Sequence, residues 1–145
     1  MPTIVIMEDD AALAADWQIG LERAGHTVVQ TRSASECLDW LRSNDADLLI
    51  ADIYVQRDGA LVPDGGIKLI GLLRAAGGPM ERALLPIIAV TGIGRDGSTT
   101  PPVLELAQSL GANAIFRKPV AIPDLMNAID TLAGPPVRTD MRSAP

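Results

Sequence analysis

The chain has 145 residues, enough for one domain, and its 48% hydrophobic but only 3% aromatic content points to an aliphatic core. A net charge of −6 with no run of Lys and Arg excludes the electrostatic footprint of a nucleic-acid binder and the polybasic patch of a membrane-surface protein. A single cysteine, Cys37, excludes an internal disulfide framework, and no apolar run nears the ~20 residues that span a bilayer. The N-terminus also lacks the basic start and long apolar stretch of a signal peptide, so a reducing, cytoplasmic setting is expected.

In chain order, the β-branched run Thr3-Ile4-Val5-Ile6-Met7 predicts a buried strand that ends in acid, Glu8-Asp9-Asp10. A helix follows over Ala11 to Ala24, with Leu13, Trp17, Leu21 and Ala24 on one face and Gly25 as its stop. Thr27 to Thr31 is a second strand. Ser33 and Glu36 stand at capping-box spacing and open a helix that runs to Ser43. Asp47 to Asp52 is a third strand, again ending in acid. Ile53 to Asp64 reads as a polar loop carrying Gly59 and Pro63, and Gly65 to Ala76 as a helix broken by Gly77-Gly78-Pro79. Pro86 to Val90 is a fourth strand, closed by Thr91-Gly92, and Ile93 to Pro101 is a loop. A helix over Pro102 to Leu110 ends at Gly111. Ala114 to Arg117 is the fifth strand, followed by Lys118-Pro119. A last helix carries Ile122, Leu125, Met126, Ile129 and Leu132 at spacings of 3 and 4.

Five βα units in succession predict an α/β fold, a doubly wound parallel sheet with helices on both faces and right-handed crossovers. Residues 1–134 form the domain, and 135–145, rich in Pro and mixed charge, a flexible tail. Trp17 and Trp40 read as packing anchors, Cys37 as a small buried apolar group, and His26, after a glycine in a turn, as a solvated residue.

In an open α/β sheet, ligands bind beyond the carboxyl ends of the strands. Those ends carry Glu8-Asp9-Asp10, Asp52, Thr91 and Lys118, which are carboxylates, a hydroxyl and an amine from four separate places. Crowded carboxylates repel unless a cation joins them, and Mg²⁺ suits such oxygen ligands. A carboxylate beside the metal can act as a nucleophile on phosphorus. Taken singly, each group has a plainer reading. The acidic triplet could be a charge cluster at a helix N-terminus, Asp52 a strand-end cap, Thr91 a strand former and Lys118 surface charge.

Together, Glu8-Asp9, Asp52, Thr91 and Lys118-Pro119 resemble the receiver domain of two-component response regulators, over Ile4 to Leu132. The resemblance implies the flavodoxin-like strand order 2-1-3-4-5 with five helices. It implies Asp52 as phospho-acceptor, Thr91 as switch hydroxyl and Lys118 as the phosphoryl-binding amine. Asp9 would be a direct Mg²⁺ ligand, Glu8 a ligand through water, and the Tyr54 carbonyl and Asp52 further ligands. A cis bond at Lys118-Pro119 is implied too. The expected function is a single-domain response regulator phosphorylated by a histidine kinase or histidine phosphotransfer protein. It would signal to a downstream target protein, by default through the helix at 102–110, the fifth strand and the last helix. Its only chemistry would be self-phosphorylation and autodephosphorylation, so it is not expected to be an enzyme.

The chain departs from the family pattern in three places. Gln56 and Ala60 stand where the family usually has Pro and Gly, and the matching Asp64-Gly65 comes about five residues late. The stretch from Thr91 to Gly111 is about five residues longer as well. Ile115 holds the position of a usual aromatic, and Phe116, one residue on, points to the other sheet face. Two other functions are weighed against the phospho-switch. One is a receiver-fold interaction module that works without phosphorylation. The other is an aspartyl-nucleophile phosphatase or phosphotransferase, which needs a second acid where this chain has Tyr54.

Overall fold

A computed structural model describes residues 2–53, 55–57, 60–62, 66–75, 84–91 and 108–133. Five strands make one all-parallel sheet: β1 (Thr3–Met7), β2 (Thr27–Thr31), β3 (Leu48–Asp52), β6 (Ile87–Thr91) and β7 (Ala114–Arg117). Their order is β2-β1-β3-β6-β7, which is the expected 2-1-3-4-5. The register runs Val5↔Leu49, Ile50↔Ile88 and Ala89↔Ile115. Strands β3 and β6 are buried along their whole length, as apolar runs in a sheet covered on both faces must be.

The two-residue period of the strands sorts the core into two layers. Val5, Met7, Leu49 and Ile87 point to one face, where α2 (Ala34–Ser43) and α3 (Gly66–Arg74) add Cys37, Leu69 and Leu73. Ile4, Ile6, Ile50 and Ile88 point to the other, where α1 (Ala11–Arg23) and α4 (Ile122–Ala133) add Trp17, Leu21, Leu125 and Ile129. Each of these aliphatic side chains contributes about 1.5–3 kcal/mol by leaving water. Trp17 and Cys37 are buried as expected, and Trp40 is half-buried against the first layer. Ile115 packs with the first layer and Phe116 with the second, so they do face opposite ways.

Local chemistry sets the helix ends. Asp10 caps α1, its Oδ1 accepting from the N–H groups of Ala12 and Leu13 at 3.1 and 3.2 Å. At the other end Gly25 takes φ +100°, its N–H donates to Glu22 O, and the His26 N–H donates to Leu21 O. This is a Schellman stop. In α2 the capping box forms with a shift: Ser33 Oγ accepts from Glu36 N, while Glu36 Oε2 reaches back to the N–H of Arg32 rather than Ser33.

Two expectations are overturned. The segment Ile53 to Asp64 is not a plain loop: β4 (Val55–Arg57) and β5 (Ala60–Val62) pair antiparallel, Val55 opposite Val62 and Arg57 opposite Ala60. The physical reason is in the sequence, since Asp58-Gly59 between two short runs is a strong hairpin signal. His26 is not solvated but only 3% exposed, because the Schellman turn folds the chain back on α1, with the His26 N–H on Leu21 O. Of the helix expected over Pro102 to Leu110, only 108–110 lie among the described residues, and they are helical. The loop Ile93 to Pro101 and the tail 135–145 lie outside them. No helix among the described residues is long and apolar enough to cross a membrane.

Candidate functional site

The ends of β1, β3, β6 and β7 lie at one edge of the sheet, because the strands are parallel and in register. The β1 ladder runs one residue past the strand, with Glu8 N donating to Thr31 O at 3.0 Å, and this holds Glu8 at the rim at 1% exposure. Asp9 follows, half-buried. Asp52 closes β3 at 2% exposure and Thr91 closes β6 at 3%. Lys118 follows β7; its backbone N–H donates to Thr91 O at 2.7 Å, and its peptide bond to Pro119 is cis, as expected.

The side chains converge. Lys118 Nζ lies 2.9 Å from Glu8 Oε2 and 3.4 Å from Asp52 Oδ2. The carboxylates of Glu8, Asp9 and Asp52 offer oxygens within 4.8 Å of one another. Asp10 stands apart as the cap of α1. The plainer readings of Lys118 as surface charge and of Asp52 as a mere strand cap therefore do not describe what these groups touch. Tyr54 lies outside the described residues.

Burial dominates the electrostatics of Glu8. Its carboxyl is pushed above the usual carboxylate range by desolvation, against the pull of Lys118 and the Asp10 N–H, and Asp9 adds to the push. For Lys118, burial acts downward, but Asp52 and then Glu8 outweigh it, so the ammonium is held above its ordinary range. When ionised, the three clustered carboxylates exceed the one ammonium that pairs with Glu8 and Asp52 by two negative charges. Glu8 Oε2, fully buried, has the ammonium as an ion-pair neighbour but no aligned hydrogen-bond donor among the described residues. An excess of two negative charges and an under-satisfied buried oxygen fit a hard divalent cation such as Mg²⁺, with Glu8, Asp9 and Asp52 as the residues that would hold it.

One contributor went unnoticed in the sequence. Gly66, the first residue of α3, packs on the acceptor strand so closely that a Cβ there would stand 2.6 Å from the Asp52 carbonyl oxygen. The Gly65-Gly66 pair after Pro63-Asp64 was the available signal, but the match to the family pattern drew attention to Gly65.

Comparison with known proteins agrees with this geometry. The profile of the response regulator receiver domain matches residues 4–130. The chain is 26% identical over 132 residues to the polar-differentiation response regulator DivK of Brucella ovis, covering 91% of this chain and 96% of DivK. It is 29% identical over 126 residues to the CAI-1 autoinducer sensor kinase/phosphatase CqsS of Vibrio cholerae, covering 87% of this chain but 16% of that much longer protein. Among solved structures, a response regulator of Chloroflexus aurantiacus superposes with a TM-score of 0.76 at 25% identity, covering 91% of this chain and 97% of that one. A receiver protein of Pseudomonas putida gives 0.75 at 25% identity, covering 90% and 96%. With the sheet order, the converging strand ends and a profile match over residues 4–130, the chain belongs to the response regulator receiver domain family of two-component signalling.

Proposed function

We propose that this receiver domain accepts a phosphoryl group on Asp52 from a histidine kinase or histidine phosphotransfer protein and passes the signal on by protein contact. The observation that carries this reading is the 3.4 Å approach of Lys118 Nζ to Asp52 Oδ2 beside two further carboxylates. An oxygen of Asp52 attacks phosphorus, the P–N bond to the donor imidazole breaks, and the imidazole leaves with the electron pair and is reprotonated. Lys118 is placed to lie against one phosphoryl oxygen, and Thr91, at the end of the neighbouring strand, to donate its hydroxyl to another. Bound Mg²⁺ supplies neutralisation of the charge on the transferring group. Asp9 and Asp52 would hold that ion directly and Glu8 through a water, with the Tyr54 carbonyl as a further ligand.

The chemistry is confined to the domain's own aspartate: phosphorylation of Asp52 and its later hydrolysis, with no external substrate turned over. The setting is the cytoplasm, where the kinase modules of two-component systems work. Incubation with acetyl phosphate and Mg²⁺, followed by intact-protein mass spectrometry, tests the reading. A gain of one phosphoryl group is expected, absent in Asp52→Asn and absent when the metal is chelated. Equal labelling of Asp52→Asn would refute the assignment.

A further inference from the structure

Helix α3 is held at both ends, by different chemistry. At its start Gly66 lies on the acceptor strand, where a Cβ would stand 2.6 Å from Asp52 O and 3.1 Å from Ile53 Cα. At its end Arg74 reaches across to the chain that leads into β7. The guanidinium donates to Gly111 O from Nε at 3.3 Å and from Nη2 at 3.0 Å, and Nη2 also donates to Asn113 Oδ1 at 3.1 Å. The stem of Arg74 lies over Gly111 so closely that a Cβ there would meet its Cγ at 3.1 Å and its Nε at 2.9 Å.

Gly111 and Asn113 stand at a junction. Residues 108–110 are helical, and the Gly111 N–H donates to Gln108 O at 3.1 Å to end that helix. Asn113 Oδ1 accepts from Ile87 N at 2.9 Å, and the Asn113 N–H donates to Ile87 O at 2.8 Å, which locks the starts of β6 and β7 together. One side chain of α3 thus touches both the end of the helix before β7 and the residue that joins two strands. Bonds from a guanidinium are the stronger class, and its planar fork fixes direction as well as distance. Between Gly66 and Arg74 the helix rises about 12 Å. Packed helices shift as bodies, by about 1–2 Å. A hydrogen bond with an N···O range of about 2.7–3.2 Å does not tolerate such a shift. A push at Gly66 therefore either breaks the Arg74 bonds or draws Gly111 and Asn113 along.

We infer that Arg74 is a positioning residue that couples the acceptor end of the sheet to the opposite end. Displacement of the backbone at Asp52 moves α3, and Arg74 carries the movement to the helix end at 108–110 and to the start of β7. The link is mechanical and holds for any displacement at Asp52; that phosphorylation supplies the displacement rests on Asp52 being the acceptor. Amide NMR of the full chain reads the link at Gly111, Ala112 and Asn113. The chains are the intact protein, Gly66→Ala, Arg74→Met and the double variant. Arg74→Met keeps an unbranched apolar stem over Gly111 and removes the donors, while Gly66→Ala forces the start of α3 off the Asp52 carbonyl. Mg²⁺ with beryllofluoride, followed by fluorine NMR, supplies a second displacement that needs no change at Gly66.

Gly66→Ala should shift the three amides when Arg74 is present, and that effect should be lost when it is introduced beside Arg74→Met. Beryllofluoride should likewise bind both the intact chain and Arg74→Met, yet move the three amides only in the intact chain. An equal response with and without Arg74 would overturn its role and leave the apolar layer, which Leu110 and Ala112 also join, as the carrier. Amides at 111–113 that stay in place in the intact background would overturn the link altogether. Loss of beryllofluoride binding in Arg74→Met would overturn it too, by showing that Arg74 supports the pocket itself. Beryllofluoride that fails to bind the intact chain would instead remove Asp52 as acceptor, and the Gly66→Ala comparison would still decide the role of Arg74.

Discussion

His26 shows what one buried titratable side chain does to the pH range of a fold. Its Nδ1 is buried with no hydrogen-bond partner among the described residues, and desolvation holds its pKa below the ordinary 6.5, with Asp130 pulling the other way. A folded-state pKa below the unfolded one means that the unfolded chain binds the proton first as pH falls. The neutral ring's contribution is therefore complete above about pH 6.5 and lost as pH drops towards the folded-state pKa. Urea midpoints at pH 7.5 and pH 5.5 check this. The intact protein should lose stability on acidification, and His26→Gln should lose less. An equal loss in both would assign the acid sensitivity to other groups. Sequence alone did not reveal this burial: a histidine after a glycine reads as part of a turn, and Asp130 comes near only through the packing of α4 across the sheet. Glu8, Asp52 and Lys118 were legible because parallel strands deliver their ends to one edge whatever the details of packing.

Helix α3 carries two glycines whose surroundings set opposite expectations for the same substitution. Gly71 has nothing among the described residues within 4 Å of an added Cβ, so Gly71→Ala should stabilise by about 0.5–1 kcal/mol through helix propensity and a less flexible unfolded chain. At Gly66 the same gain is opposed by backbone at 2.6 Å from the new methyl, which has no rotamer to yield. Overpacking costs about 1–3 kcal/mol, which outweighs propensity, so Gly66→Ala should destabilise. Denaturant titration of the two variants checks both signs, and a stabilised Gly66→Ala would mean that the start of α3 is not held against Asp52. The major strands and α1, α2 and α4 were legible to within a residue or so because their periodicity is strong and their caps local: Asp10, Ser33 and Gly25. The β4–β5 ribbon was not read, because runs of three residues give too little alternation to register as strands, and the Asp58-Gly59 turn signal was folded into the general polarity of the segment.

At the scale of the molecule, one sheet with two aliphatic layers holds four strand ends at fixed spacing, and that spacing makes the acidic pocket. The fold was legible because five apolar runs alternating with amphipathic stretches allow few arrangements once crossovers are right-handed. The readout surface was not, because Ile115 packs into the layer under α2 and α3 where the family usually places an aromatic residue. A structure of the protein with Mg²⁺ and beryllofluoride, a phosphoryl mimic, tests the central claim most directly. Beryllium density is expected on Asp52 Oδ within contact of Lys118 Nζ and Thr91 Oγ1, with the metal on Asp9 and Asp52. Mimic bound elsewhere, or Lys118 turned away from an occupied Asp52, would contradict it.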